Sequence, residues 1–310
     1  SPGGRRFKKS LRAQGAKVTR GNVRCLTRDT GASVSLVCSA LGVPRSWFYY
    51  RRKLRRKTEG CRRPDVEHAI QQILLERPAT YGYRRIHGML ARRAIQADPK
   101  TVWKIMRRRG WLSSARSRTM RPGRLHEGQV SVKEPNKRWA SDITSIKAWN
   151  GEKGRLAVIL DCADRSVLAW RWGKKMPSEE LQEMVREAVF RRFGAKRENA
   201  KGLEFLSDNG PEYICKKLRA MLQSFGIIVC HTPRRSPESN GLAERFFGTL
   251  KRDYVYQGEL GNLDEVGRKL PRWIQDYNEV APHSALKMQA PAQFYTNWLA
   301  SRITKAPVQN

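Results

Sequence analysis

Apolar positions recur with two different periods along this chain, and the change falls near Arg138. Upstream the spacing is helical. Ser33–Leu41 (SVSLVCSAL) and Arg45–Arg52 (RSWFYYRR) read as short helices across the turn Gly42-Val43-Pro44. Val66–Glu76 sets Ile70, Ile73 and Leu74 on one face and stops at Arg77-Pro78-Ala79-Thr80. Tyr83–Arg93 (YRRIHGMLARR) and Lys100–Arg109 (KTVWKIMRRR) follow, with Thr101, Val102, Ile105 and Met106 facing inward. Helix, short turn, helix is the helix-turn-helix pattern, whose second helix can enter a major groove. It occurs here twice.

Downstream the period shortens. Trp139–Trp149, Leu156–Asp161 and Val167–Trp172 predict three strands of an antiparallel meander. Ser178–Phe193 predicts a helix that Ser178 caps. Leu203–Leu206 and Ile227–Cys230 predict short strands around a helix at Lys216–Phe225, and Ala243–Tyr256 and Asp264–Tyr277 predict two closing helices. The sum is an α/β domain with a five-stranded mixed sheet and flanking helices. The expected division is a basic flexible arm at 1–31, helix-turn-helix domains at 32–60 and 61–115, a basic linker at 116–136, the α/β domain at 137–300 and a tail at 301–310.

Charge turns this architecture toward nucleic acid. The 310 residues hold 62 Lys+Arg against 28 Asp+Glu, a net of +34, which calls for a polyanionic partner. Residues 1–136 carry 33 basic and 8 acidic residues, so the helical half is the electrostatic footprint. Arg51-Arg52-Lys53-Leu54-Arg55-Arg56-Lys57 is its densest run, read as phosphate contact. No stretch reaches the ~20 apolar residues of a membrane span. The six cysteines form no C-x2-C pair, which disfavours structural zinc, and reduced thiols in the cytoplasm are the expectation.

The second half carries the chemistry. Asp142 lies inside the first strand, Asp208 ends the fourth, and Glu244 lies on a helix after 35 intervening residues. In this topology the three can converge, and three converging carboxylates are costly unless a cation neutralises them. Oxygen-only ligands select Mg²⁺, with Mn²⁺ as substitute, and two such ions serve phosphodiester chemistry. Arg234, Arg235 and Lys251 form a basic rim around this centre. Other candidates read as structural: Asp161 and Asp164 as turn and salt-bridge residues, His231 and His283 as satisfied histidines, Trp139, Trp170, Trp172, Trp273 and Trp298 as core, and Asp253 as a solvated surface acid.

Seven segments in this order resemble one family: YGYRRI (81–86), KTVWKIMRRRGWL (100–112), RWASDIT (138–144), LDCADR (160–165), LSDNGPEY (206–213), RSPESNGLAERFFGTLKRDY (235–254) and YNEVAPHSAL (277–286). The chain resembles a DDE transposase of the retroviral-integrase type, and more narrowly the downstream-frame product of the IS3 (IS-three) insertion-sequence family. The resemblance implies an RNase H-like catalytic domain with Asp142, Asp208 and Glu244 as catalytic metal ligands, two ions per site. It implies a DDE polynucleotidyl transferase with endonuclease and strand-transfer activity on double-stranded DNA, both terminal inverted repeats and target. The expected DNA contacts are Arg51, Arg52, Arg55, Arg56, Tyr81, Arg84, Arg85, Lys100, Thr101, Lys104, Arg107, Arg108, Arg234, Arg235, Asn240, Arg245 and Lys251, the last matching the family's basic residue after the Glu. A homodimer or larger assembly on DNA and a cytoplasmic, nucleoid-associated bacterial setting complete the expectation. The alternative is a catalytically silent DNA-binding regulator of transposition; the complete carboxylate triple argues against it.

Overall fold

The computed structural model describes residues 18–49, 63–77, 80–112, 132–231 and 241–304. The chain divides into two compact units, residues 1–60 and 61–310.

The described residues of the first unit form three helices from Arg20 onward. α1 (Arg20–Thr30) begins at Thr19, whose side chain accepts from the Asn22 N–H while Asn22 answers with a bond to the Thr19 N–H. Residues 20–30 are therefore an ordered helix and not part of a flexible arm, a correction explained by this reciprocal cap. α2 (Val34–Leu41) is capped by Ser33 and ends at Gly42, whose φ of 68° suits a residue without Cβ. α3 spans Arg45–Tyr49. Val23, Val37, Cys38 and Leu41 close the small core these helices share.

The second unit opens with three helices. α4 (Pro64–Glu76), α5 (Tyr83–Arg92) and α6 (Pro99–Arg109) meet through Val66, Ile70, Ile73, Ile86, Leu90, Val102 and Met106. Asp98 caps α6 by accepting from the Lys100 N–H at 2.8 Å, and Pro99 fits the first turn where no donor is needed.

The sheet follows. β1 (Arg138–Lys147), β2 (Lys153–Asp161) and β3 (Val167–Gly173) form the antiparallel meander; α7 (Ser178–Phe193) crosses to β4 (Glu204–Ser207), and α8 (Lys216–Ser224) crosses to β5 (Ile228–His231). The strand order is β3-β2-β1-β4-β5, with β4 and β5 parallel to β1. α9 (Gly241–Asp253), α10 (Leu263–Glu279) and α11 (Pro291–Ile303) complete the unit. α11 extends a helix into the segment expected as tail. Ser178 is the first residue of α7 and makes no cap bond; Pro177 stands at the cap position instead.

Both sheet faces are covered, which is why Leu156–Leu160 is apolar at every position. Ala157 and Ile159 face α7, where Leu181, Met184, Val185 and Val189 pack with Trp139 and Phe205. Leu156, Val158 and Leu160 face α9 and α10 through Phe246, Phe247, Leu250 and Ile274. Each such fully buried aliphatic side chain contributes about 1.5–3 kcal/mol. The β2–β3 turn is built by its acids: Asp161 accepts the N–H groups of Asn136 and Ala163, and Asp164, 0% exposed, pairs with Arg192 at 2.7 Å. Among the described residues no helix is long and apolar enough to cross a membrane.

Candidate active site

β1 is the central strand, and its alternation decides what faces the site. Asp142, Thr144 and Ile146 share one side, the side covered by α9. β4 pairs in parallel with β1, Arg138 opposite Glu204 and Ala140 opposite Leu206. β4 ends at Ser207, so Asp208 follows directly after the strand, two residues beyond the Ala140–Leu206 pair. Glu244 sits in the first turn of α9. Burial is the first cause that pushes the Asp142 carboxyl up to about 6, and the charges of Asp208 and Glu244 push in the same direction. The Ile143 N–H, which donates to Asp142 Oδ1 at 2.8 Å, pulls it the other way. The three acids predicted from spacing therefore feel one another. They do not close round a single point, for among the described residues no three His, Cys, Asp or Glu side chains are gathered tightly enough to ligate one ion.

The loop after β4 is held by residues that the sequence reading left aside. Gly210 donates to Asp208 Oδ1 at 3.0 Å, and a Cβ on Gly210 would lie 3.0 Å from that oxygen and 3.1 Å from Glu212 Oε2. Glu212 pairs with Arg155 of β2 at 2.6 Å. Tyr213, buried, shares a 2.8 Å hydrogen bond with Ser141 Oγ, which also donates to the Val158 carbonyl. The motif SDNGPEY carries these roles openly: a turn glycine, an acid and an aromatic anchor follow the catalytic candidate.

On α9, Lys251 Nζ donates to Thr144 Oγ1 at 2.7 Å, and Arg245 is exposed beside Glu244. Asp253, expected as a solvated acid, is 2% exposed and bonded to Arg85, Arg252 and Thr80. His283 is tucked edge-to-face against Tyr277 with ring centroids 4.6 Å apart. His231 has Nδ1 3.4 Å from the Asp208 carbonyl.

The expected DNA contacts separate. Lys100, Lys104 and Arg107 lie on the exposed face of α6, where the Arg107 guanidinium stands 5.1 Å from the Trp103 ring; Thr101 is half-buried. Arg84 is exposed on α5. Tyr81 is a correction: it is 0% exposed inside the three-helix core and offers DNA no surface. Arg85 is partly buried, and its guanidinium is engaged with Asp253 at 2.6 Å. Arg108, exposed on α6, bonds Glu67 of α4 at 2.9 Å. Arg51, Arg52, Arg55, Arg56, Arg234, Arg235 and Asn240 lie outside the described residues.

Residues 132–237 and 226–291 match families described as integrase core domain, and residues 62–119 match an HTH-like domain. The chain is 36% identical over 281 residues to the transposase InsD of insertion element IS2 from Escherichia coli, covering 85% of this chain and 91% of the relative. The chain belongs to the IS3 family of DDE transposases. The transposase is also 44% identical over 177 residues to an uncharacterized insertion element IS136 protein of Agrobacterium tumefaciens, covering 56% of this chain and 90% of that one. Among solved structures, the intasome of simian T-cell lymphotropic virus in complex with a PP2A regulatory subunit aligns over 78% of this chain and 76% of its own, at 19% identity and TM-score 0.45. The HTLV-2 integrase catalytic core in complex with magnesium aligns over 52% of this chain and 96% of its own, at 22% identity and TM-score 0.39. As an IS3-family transposase it is a DNA-binding polynucleotidyl transferase with an RNase H-like catalytic domain.

Proposed function

We propose that this transposase cuts the ends of its insertion sequence and joins them to target DNA at the Asp142–Asp208–Glu244 site. Water attacks phosphorus in line at the element end; one P–O bond forms, one breaks, and a 3′-hydroxyl leaves. That hydroxyl then attacks a target phosphodiester in the same way, releasing a target 3′-hydroxyl. No covalent bond to the protein forms. The observation that carries this reading is Asp142, pushed up to about 6 by burial and by the neighbouring Asp208 and Glu244 carboxylates.

The donor chemistry of these residues fits a metal, although the three carboxylates would have to draw closer than they stand here to hold it. Asp142, Asp208 and Glu244 would hold it, an oxygen-only set suited to Mg²⁺ or Mn²⁺. A divalent cation bound there supplies Lewis-acid stabilisation of charge at phosphorus, and a pair of ions is the expected count. The protein's own groups do the rest. Lys100, Lys104 and Arg107 grip phosphates along α6, and Lys251 holds a phosphate near the carboxylates. Two ends must be held together for joining, so two or more copies act on one DNA assembly.

A strand-transfer assay tests this, using a labelled duplex with the element end and either Mg²⁺ or Mn²⁺. Metal-dependent joined products from wild type and none from Glu244→Gln support the reading. End binding without cutting in either metal turns it toward the silent regulator.

A further inference from the structure

The YGYRRI segment faces inward, onto the catalytic domain. Asp253, the last residue of α9 and nine residues beyond Glu244, is buried, and Arg85 Nη1 of α5 and Thr80 Oγ1 each donate to it at 2.6 Å. Arg252 donates to the same carboxylate at 2.6 and 2.9 Å. A carboxylate this deep persists because its charge is met. Its anchor lies about 13 Å along the helix from Glu244 at 1.5 Å per residue. Beside it, Arg77 pairs with Asp276 of α10, which also accepts from the Tyr254 hydroxyl at 2.7 Å. Arg92, at the far end of α5, donates to the carbonyls of Val280 at 2.5 Å and Met288 at 2.8 Å.

The surface that receives α5 is shaped for it. Lys287 and Met288 sit at φ 54° and 65°, a left-handed conformation uncommon outside glycine. Opposite Met288 stands Gly88, where any Cβ would lie 3.0 Å from the Met288 Cβ. Val280 packs into the three-helix core itself. The module bearing α6 and the helix bearing Glu244 are therefore joined by complementary shape and by buried charge.

We propose that Arg85, with Arg77 and Arg92, is a positioning residue that sets the register between the DNA end gripped by α6 and the phosphodiester presented to the carboxylates. The inference rests on the strand-cleavage reading above. Breaking the clasp changes where the cut falls, not whether the end is bound.

The test maps cleavage of a labelled end duplex at nucleotide resolution with the full chain and Mn²⁺, and measures end binding in the same buffer. Wild type cuts at one position. Arg85→Ala spreads the cuts over neighbouring phosphodiesters while its Kd changes by less than about threefold. Arg85→Lys, still able to donate to Asp253, draws the cuts back toward one position. Gly88→Val, which wedges the interface without touching a charge, spreads them again. Thermal melts accompany every variant, and should Arg85→Ala fail to fold, Gly88→Val decides. Single-position cutting by Gly88→Val and by any folded Arg85→Ala overturns the proposal. Loss of end binding in folded Arg85→Ala also overturns it, since Arg85 would then be a DNA contact. A wild type that binds ends but makes no cut overturns the cleavage reading itself, and this inference with it.

Discussion

Lys251 of α9 donates to Thr144 Oγ1 of β1 at 2.7 Å, on the strand face that also carries Asp142. The ammonium is half-buried, and desolvation pulls its pKa below the usual lysine value. One hydrogen bond leaves two N–H donors for a phosphate oxygen. Lys251→Ala is expected to weaken end binding about tenfold, near the value of one charged hydrogen bond. It also lowers the slope of log K against log salt by about 1. Titrating binding against salt measures both, and an unchanged slope would remove Lys251 from the interface.

Glu244→Gln and Asp142→Asn each remove a charge and keep the side-chain shape. Cutting and joining are expected to fall at least about a thousandfold, equivalent to ~4 kcal/mol of barrier. End binding rests on other residues and stays within a factor of about three. Gel-shift and strand-transfer assays on the same preparations check the division. Binding lost together with chemistry would contradict it.

Much of this site was legible because its chemistry lies in local sequence. Asp142 inside an alternating strand, Asp208 before Asn209-Gly210, and Glu244 at the start of an amphipathic helix each carry their own context. The number of strands and their succession with the helices followed from lengths and periods. What sequence did not expose was pairing across long separations. Arg85 and Asp253 are 168 residues apart, and a basic residue in a strongly basic chain reads as a phosphate contact until its partner is seen. Tyr81 misled in the same way, since a motif aromatic and a core aromatic look alike in one dimension. Arg20–Thr30 was missed because its helix is set by a side-chain cap at Thr19, and mostly polar residues blur its periodicity.

Metal should reverse a strain visible at Asp142. With its carboxyl pushed up to about 6, the ionised form that prevails at neutral pH costs the fold stability relative to the unfolded chain. After allowance for its partial exposure the cost is on the order of 1 kcal/mol. Asp142→Asn is therefore expected to melt slightly higher than wild type in EDTA. Adding Mg²⁺ or Mn²⁺ should raise the wild-type midpoint and leave the variant's nearly unmoved. Equal metal-induced shifts in both proteins would place the ion elsewhere.

His283 gives the fold a defined acid sensitivity. Burial drives its pKa down to about 4 from the ordinary 6.5, and the charges of Arg85, Arg165 and Arg92 press the same way. The folded chain holds the imidazole neutral, whereas the unfolded chain takes up a proton below about 6.5. The sign follows from that difference: more protons bind the unfolded state, so stability is fully present above pH 6.5 and is lost as pH falls toward 4. The loss amounts to at most about 3 kcal/mol across the window. Asp142 and Asp161, both raised to about 6, act in the opposite direction over part of the same range, so the total curve mixes the two. Comparing wild type with His283→Gln isolates the histidine. Urea unfolding at pH 7.5 and pH 5 should show the wild type losing about 2 kcal/mol more than the variant. Equal losses would mean that the imidazole is not kept neutral against Tyr277.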